Sequence, residues 1–375
     1  MARAKTTGIA SASAFARVGL AVYTLLIVYA SWYPFSGWHN NGLSPLAYLS
    51  APFPHYWTMF DLTVNVIGYL PFGILLVFAL HPRVTGAAAI VLTVIAGALL
   101  SGAMEAVQTY LPSRVPSNLD LLTNAGGALL GAIGGVLLSP MFLAQSRLLD
   151  LQRSWVSPEA GRGLIVLGLW PLAQIYPQSY LFGHGQLAPI ISTWLSDWLL
   201  TPIDLGALVR HEAELSVEQY WLSETIITAC GLTGAVLTLL CLMQSKAPRT
   251  ALTLLFIGAA IAAKAMASAL LFTPENAFVW LTPGAQGGLL IGAIMLTGLA
   301  FAPPVAQRRV AALALITSLI AVNAVPANPY FVATLQAWVQ GKFLNFNGAA
   351  QFLSLLWPFF ALWFLYHPTH RTANS

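Results

Sequence analysis

Ten long apolar runs, spaced along all 375 residues, leave this chain few folds to choose from. They lie at 15–34, 61–80, 86–108, 120–139, 163–182, 223–243, 250–272, 284–302, 309–326 and 350–366. Each is about the length a helix needs to cross a hydrocarbon layer of about 30 Å. There, every backbone N–H and C=O must find a partner inside the segment, which selects helices over open strands. Only 7% of the residues are charged, where a soluble domain carries about 25%. Too little polar surface exists to cover a water-soluble protein of this size, and a disordered or fibrous chain is excluded with it. The sequence predicts an all-α, polytopic transmembrane helix bundle of about ten spans.

Basic residues set the orientation. With the N-terminus inside, twelve of the sixteen Lys and Arg fall on inner segments. Arg114, Arg210 and Lys342 fall outside, and Lys264 lies within a span. This is the positive-inside pattern, and it predicts both termini in the cytoplasm. The net charge of +4 therefore reports orientation, and no nucleic-acid partner is expected. The opening residues lack an apolar core followed by a cleavage site, so they read as a cytoplasmic lead-in. Cys230 and Cys241 share one apolar run about 16 Å apart along a helix, too far for a disulfide, and read as packing residues.

Most acidic residues and tryptophans fall on the outer side. In the stretch 189–202, Ile191, Trp194, Leu195, Trp198 and Leu199 form one face of a helix, with Ser192, Ser196 and Asp197 largely opposite. That pattern fits a helix lying in the membrane interface, or a loop helix packed on the bundle.

Ionisable residues in or beside spans are costly and need a reason. Asp61 opens the second run and Asn65 follows one turn deeper, ahead of Pro71, which should kink the helix. Glu105 and Gln108 share a face at the end of the third run, Arg114 sits in the short outer loop, and Asp120 and Asn124 open the fourth. The topology brings all seven to one membrane face. Two outcomes stay open. Arg114 pairs with Glu105 or Asp120, and the cluster staples three helices. Alternatively, the cluster is an outward pocket for a polar headgroup, since three acids against one Arg leave surplus negative charge.

These residues, in this order, resemble the VanZ family of bacterial membrane proteins. The resemblance rests on Asn65 with the following VIGYLPFG, Glu105-x-x-Gln108, Arg114, Asp120, Asn124 and Gly127-xxx-Gly131, and it covers about residues 20–140. Founding members are associated with resistance to the glycopeptide teicoplanin, so the resemblance implies a cell-envelope role. Many relatives carry a histidine near the Asn65 position. None enters the span here, so imidazole chemistry at that point is not expected. Gly127, Gly131 and Gly135 repeat at four-residue spacing, a pattern that lets transmembrane helices approach closely.

The chain divides into a VanZ-like four-span domain, 1–145, and a six-span domain, 146–375. A faint echo links the halves: Asp61 and Gly68 match Glu224 and Gly231 in spacing, and GGALLGAI resembles GGLLIGAI. Lys264 is expected to pair with Glu224 or Glu275, or to face a wet cavity. Lys342, Asn345, Asn347 and Gln351 form a second outer polar set, while Glu212, Glu214 and Glu218 read as solvated. His39, His55, His184 and His211 lack ligand spacing, so no metal site and no cofactor are expected.

The expected function is an envelope protein whose pocket binds, and modifies, a polyprenyl- or phospho-linked precursor, with membrane lipids as the other partner. Arg114 would hold the anionic headgroup, helped by Asn65, Gln108 and Asn124. Glu105 would act as general acid or base, and Asp61 or Asp120 would orient a nucleophile or hold a divalent ion. The alternatives are a non-enzymatic resistance or assembly partner and, third, a transporter.

Overall fold

The structure, a computed structural model, describes residues 2–33, 35–140, 142, 154–156, 161–209, 215–272, 274–326 and 344–367, without the helical side chains of 2–15, 60, 161–162, 209 and 344–349. Arg210, His211, Glu212, Glu214 and Lys342 lie outside the described residues, as do the side chains of Asn345 and Asn347.

The described chain is all-α, with no strand beyond one isolated bridge between Val156 and Met243. In chain order the helices are α1 Ala2–Trp32, α2 Met59–Leu80, α3 Gly86–Gln108, α4 Asn118–Ser139, α5 Gly161–Ala173, α6 Ala188–Leu199, α7 Leu205–Val209, α8 Val217–Leu240, α9 Arg249–Leu271, α10 Pro283–Leu299, α11 Pro304–Ala324 and α12 Leu344–Tyr366. Each of the ten apolar runs coincides with one of these. Six, namely α2, α3, α4, α8, α9 and α11, are long and apolar enough to cross a membrane; α1, α5, α10 and α12 contribute shorter apolar stretches. The fifth run departs from expectation. Its helix stops at Ala173, and residues 174–187 continue as irregular chain, most of it buried. Pro177 supplies a reason, because the residue before a proline is driven out of the helical region.

Local chemistry starts the helices where the runs begin. Thr58 and Asp61 form a capping box on α2, and Ser216 with Gln219 forms another on α8. Ser117 and Thr282 cap α4 and α10 through their hydroxyls.

The chain forms two compact units, Met1–Arg153 and Ser154–Ser375. In the first, α2 and α4 approach until their backbones touch. A methyl group on Gly127 or Gly131 would run into the carbonyl oxygens of Val66 and Leu70, and one on Gly73 would lie 2.8 Å from the Ala132 nitrogen. The glycine repeat is thus a packing device, as its spacing predicted. Helix α1 closes the bundle, where Tyr23 donates to the Gly68 carbonyl at 2.8 Å. The segment after α1 folds back through a 3-10 turn at Ala47–Leu49, and its Tyr48 hydroxyl donates to the Gly102 carbonyl of α3.

In the second unit α8 is the central helix, with every residue from 231 to 238 buried. It packs on α10 through Gly288 against Thr228, and on α11 through Gly234 against Leu315. Trp170 of α5 anchors the core, its ring 4.9 Å from Phe182 and 4.7 Å from Phe256. Helix α6 turns its serines toward the protein: Ser192 and Ser196 bind the backbone of Leu205 and Ile203. Its apolar face is open, with Trp194 67% and Trp198 79% exposed. An apolar face left bare fits a lipid surface and not a loop helix packed by that face.

Candidate functional site

Helices α2, α3 and α4 of the first unit bring their polar residues together at one end of the bundle. Glu105, in the last turn of α3, is 3% exposed. Its Oε2 accepts the main-chain N–H of Ser117 at 2.8 Å. The same Ser117 uses its hydroxyl to cap α4, accepting from the N–H groups of Leu119 and Asp120. One residue thus fixes the start of α4 and the rotamer of Glu105. Asp120 is half-buried one turn along, with the Asn65 side chain from α2 as its hydrogen-bond partner. Asn124 is buried one turn deeper, and its Nδ2 donates to Ser101 Oγ at 2.9 Å while its Oδ1 has no partner among the described residues. The Tyr69 hydroxyl is also buried beside Ser101 and Glu105.

Arg114 is where the expectation fails. Among the described residues it forms no ion pair with a carboxylate. Its Nη2 instead donates to the carbonyls of Tyr33, at 2.9 Å, and Ala30, at 3.3 Å. Gln108 does the same one residue away, donating to the Ser31 carbonyl at 2.9 Å. The physical reason is the end of α1. Its last carbonyls have no intrahelical donors, and a charged fork satisfies them well. Burial lowers the Arg114 pKa from its ordinary value, and the charge on Glu105 opposes that shift. The guanidinium is close enough to feel Glu105 but is not bound to it.

Asp61 is exposed and engaged locally, its Oδ2 accepting from the Thr58 amide at 3.0 Å and hydroxyl at 2.7 Å. Its charge nevertheless reaches Asp120. Among the described residues no three His, Cys, Asp or Glu side chains group as a metal-ligand set. Of the seven predicted residues, Asn65, Glu105, Asp120 and Asn124 gather around the α3–α4 junction. Gln108 and Arg114 tie down α1, and Asp61 caps α2. Sequence reasoning missed Ser117, Ser101, Tyr69 and Tyr48. Tyr48 is 6% exposed, and its hydroxyl pKa is raised by burial first and then by Glu105. A hydroxyl on a loop carries no periodic signal, so only the fold reveals it.

The second unit holds a separate polar centre around residues 174–187. Lys264 is 2% exposed and donates to the carbonyls of Tyr176, at 3.3 Å, and Gln178, at 3.4 Å. This corrects the expected pairing. Glu224 is bound by the Thr282 hydroxyl, Glu275 is exposed, and the carbonyls freed by the broken fifth run take the ammonium instead. His184 is a buried part of the same centre, not a scattered loop histidine. The amides of Gln174 and Gln178 face its two ring nitrogens at 2.6 and 2.9 Å, and Ser354 Oγ lies 3.2 Å from Nδ1.

Fold and composition together define a helical membrane protein. The VanZ/LLP1 family model matches residues 20–139, from within α1 to the end of α4. That segment is similar to the VanZ family, and the second unit lies beyond the match. No curated protein and no solved structure matches the chain.

Proposed function

We propose that this protein acts in the bacterial inner membrane as a VanZ-like envelope factor. The end of α2–α4 carrying Glu105 and Asp120 faces outward and binds the headgroup of a polyprenyl- or phospho-linked envelope precursor. The observation that carries this reading is Glu105 itself. A carboxylate 3% exposed on an apolar helix, with one backbone N–H and no bound cation among the described residues, is a costly feature for packing alone. Asp120, oriented by Asn65, stands beside it. Two carboxylates so placed suit exchange of a proton with a bound headgroup, with Glu105 as general acid or base. Arg114, committed to the α1 carbonyls, contributes positive field and not a direct grip. Both termini are cytoplasmic in this account, following the basic-residue asymmetry.

Native mass spectrometry of the purified protein tests the proposal. A co-purifying phospho- or polyprenyl-linked species, lost in Asp120→Asn, supports it. A lipid complement identical in both proteins contradicts it.

A non-enzymatic role as a resistance or assembly partner is favoured by a different observation. Gln108, Arg114, Tyr48 and Asn118 all donate to main-chain carbonyls, which is the work of a scaffold. In that case Asp120→Asn leaves the lipid complement unchanged while the variant still folds.

A further inference from the structure

Beside the polar centre of the second unit lies a cavity of about 180 Å³, lined by Tyr176, Gln186, Ile190, Thr193, Gln351 and Ser354, among others. Its wall is the irregular segment that replaces the second half of the fifth apolar run. Non-helical backbone within a membrane bundle persists where it is buried in protein or lines a polar cavity. Discontinuous helices of this kind are where membrane proteins place binding sites. Asn323 holds the segment in shape: its Oδ1 accepts from the Leu187 and Ala188 amides at 2.7 Å, and its Nδ2 donates to the Gly185 carbonyl at 2.8 Å.

Charge decides what the cavity takes. Lys264 has no carboxylate partner among the described residues, and its two acceptors are carbonyls, one of them on the cavity-lining Tyr176. Gln186 and Gln351 each bring an amide donor to the cavity wall and Ser354 a hydroxyl shared with His184, while the Thr193 hydroxyl donates back to the Pro189 carbonyl at 3.0 Å. A positive charge behind a ring of neutral donors suits a guest with several anionic acceptor oxygens.

We propose that this cavity is a binding site for a phosphate group, distinct from the carboxylate cluster of the first unit. The phosphate accepts from Ser354 and the two glutamines, and Lys264 supplies the balancing charge from behind the Tyr176 backbone. Helix α6, whose Pro189, Ile190 and Thr193 form one wall, has its tryptophan face bare. The phosphate therefore arrives either free in solution or on the headgroup of a lipid lying along α6.

The test is thermal unfolding of the full chain in a neutral detergent at fixed ionic strength. One arm titrates inorganic phosphate against chloride; the other titrates phosphatidylglycerol against a diacylglycerol that lacks the phosphate. A saturable rise in melting temperature of about 5 °C in either arm is expected, and the responding arm names the source. Lys264→Met should abolish the rise by removing the charge. Thr193→Trp should abolish it by filling the cavity from an exposed position on α6, where the helix tolerates a large side chain. Since Lys264→Met leaves two carbonyls without their donor, Thr193→Trp decides the matter if that variant does not fold. No saturable rise in either arm, or a rise that survives Thr193→Trp, overturns the site. Glu105→Gln leaves this response intact, so failure here is separate from failure of the first-unit proposal.

Discussion

The Ser117 amide donates to Glu105 Oε2 at 2.8 Å, so the residue that caps α4 also holds the buried carboxylate of α3. This one contact explains how a short, proline-bearing loop sets a charged group at a fixed place inside an apolar bundle. It also separates Glu105 from Arg114, which the loop carries to the opposite task of closing α1.

Removing that closure should be costly. Arg114→Ala leaves the Ala30 and Tyr33 carbonyls without their donor, and hydrogen bonds to a charged group are each worth about 1.5–3 kcal/mol. A stability loss of about 2 kcal/mol is expected, read as a lower midpoint in thermal unfolding. Unchanged stability would mean the guanidinium is not holding α1.

The α2–α4 contact makes a sharp prediction about neighbouring glycines. Gly131→Ala drives a methyl into the Leu70 carbonyl and should cost about 2–3 kcal/mol. Gly134→Ala, three residues on, meets nothing within 4 Å and should be neutral or slightly stabilising. Equal melting points for the two variants would contradict the packing.

Asn323 closes the irregular segment with three hydrogen bonds, and a fourth from Nδ2 to the Leu319 carbonyl of its own helix at 2.8 Å fixes its side chain. Asn323→Ala should destabilise the second unit by about 3 kcal/mol and speed amide exchange at Leu187 and Ala188. Exchange at those two amides as slow as in the parent protein would show that the clamp is not needed.

Orientation is testable by labelling in a background with Cys230→Ala and Cys241→Ala. Ser113→Cys and Ser245→Cys both place thiols at exposed positions. An impermeant maleimide applied to intact cells should reach Ser113→Cys at once and Ser245→Cys only after permeabilisation. Labelling of the second without permeabilisation reverses or breaks the proposed topology.

Much of the fold was legible because a membrane imposes simple rules. Apolar run length found all ten apolar helices among the described residues. The four-residue glycine spacing marked α4 as a helix another approaches closely, and the structure supplies α2 as its partner. What escaped was of two kinds. Hydropathy could not see that the run at 163–182 breaks at Ala173, because Ile175, Tyr176, Tyr180, Leu181 and Phe182 carry its apolar character past the break. Spacing also could not say which acceptor a cation would choose. Arg114 and Lys264 both had carboxylates within sequence reach, yet both bind main-chain carbonyls left free by helix ends. Loop groups such as Tyr48, and lone positions such as Asn323, carry no pattern before the chain is folded.

The most direct measurement is on Glu105→Gln, comparing melting temperature with retained envelope precursor and with growth under envelope stress, glycopeptide challenge included. The glutamine oxygen can still accept the Ser117 amide, and no ion pair is lost, so the account predicts a melting temperature within about 2 °C of the parent, equivalent to well under 1 kcal/mol. It predicts loss of the bound precursor and of the growth phenotype in the same variant. A folded Glu105→Gln protein that keeps both would contradict the central claim. So would one that unfolds many degrees early, because Glu105 would then be a staple and not a site.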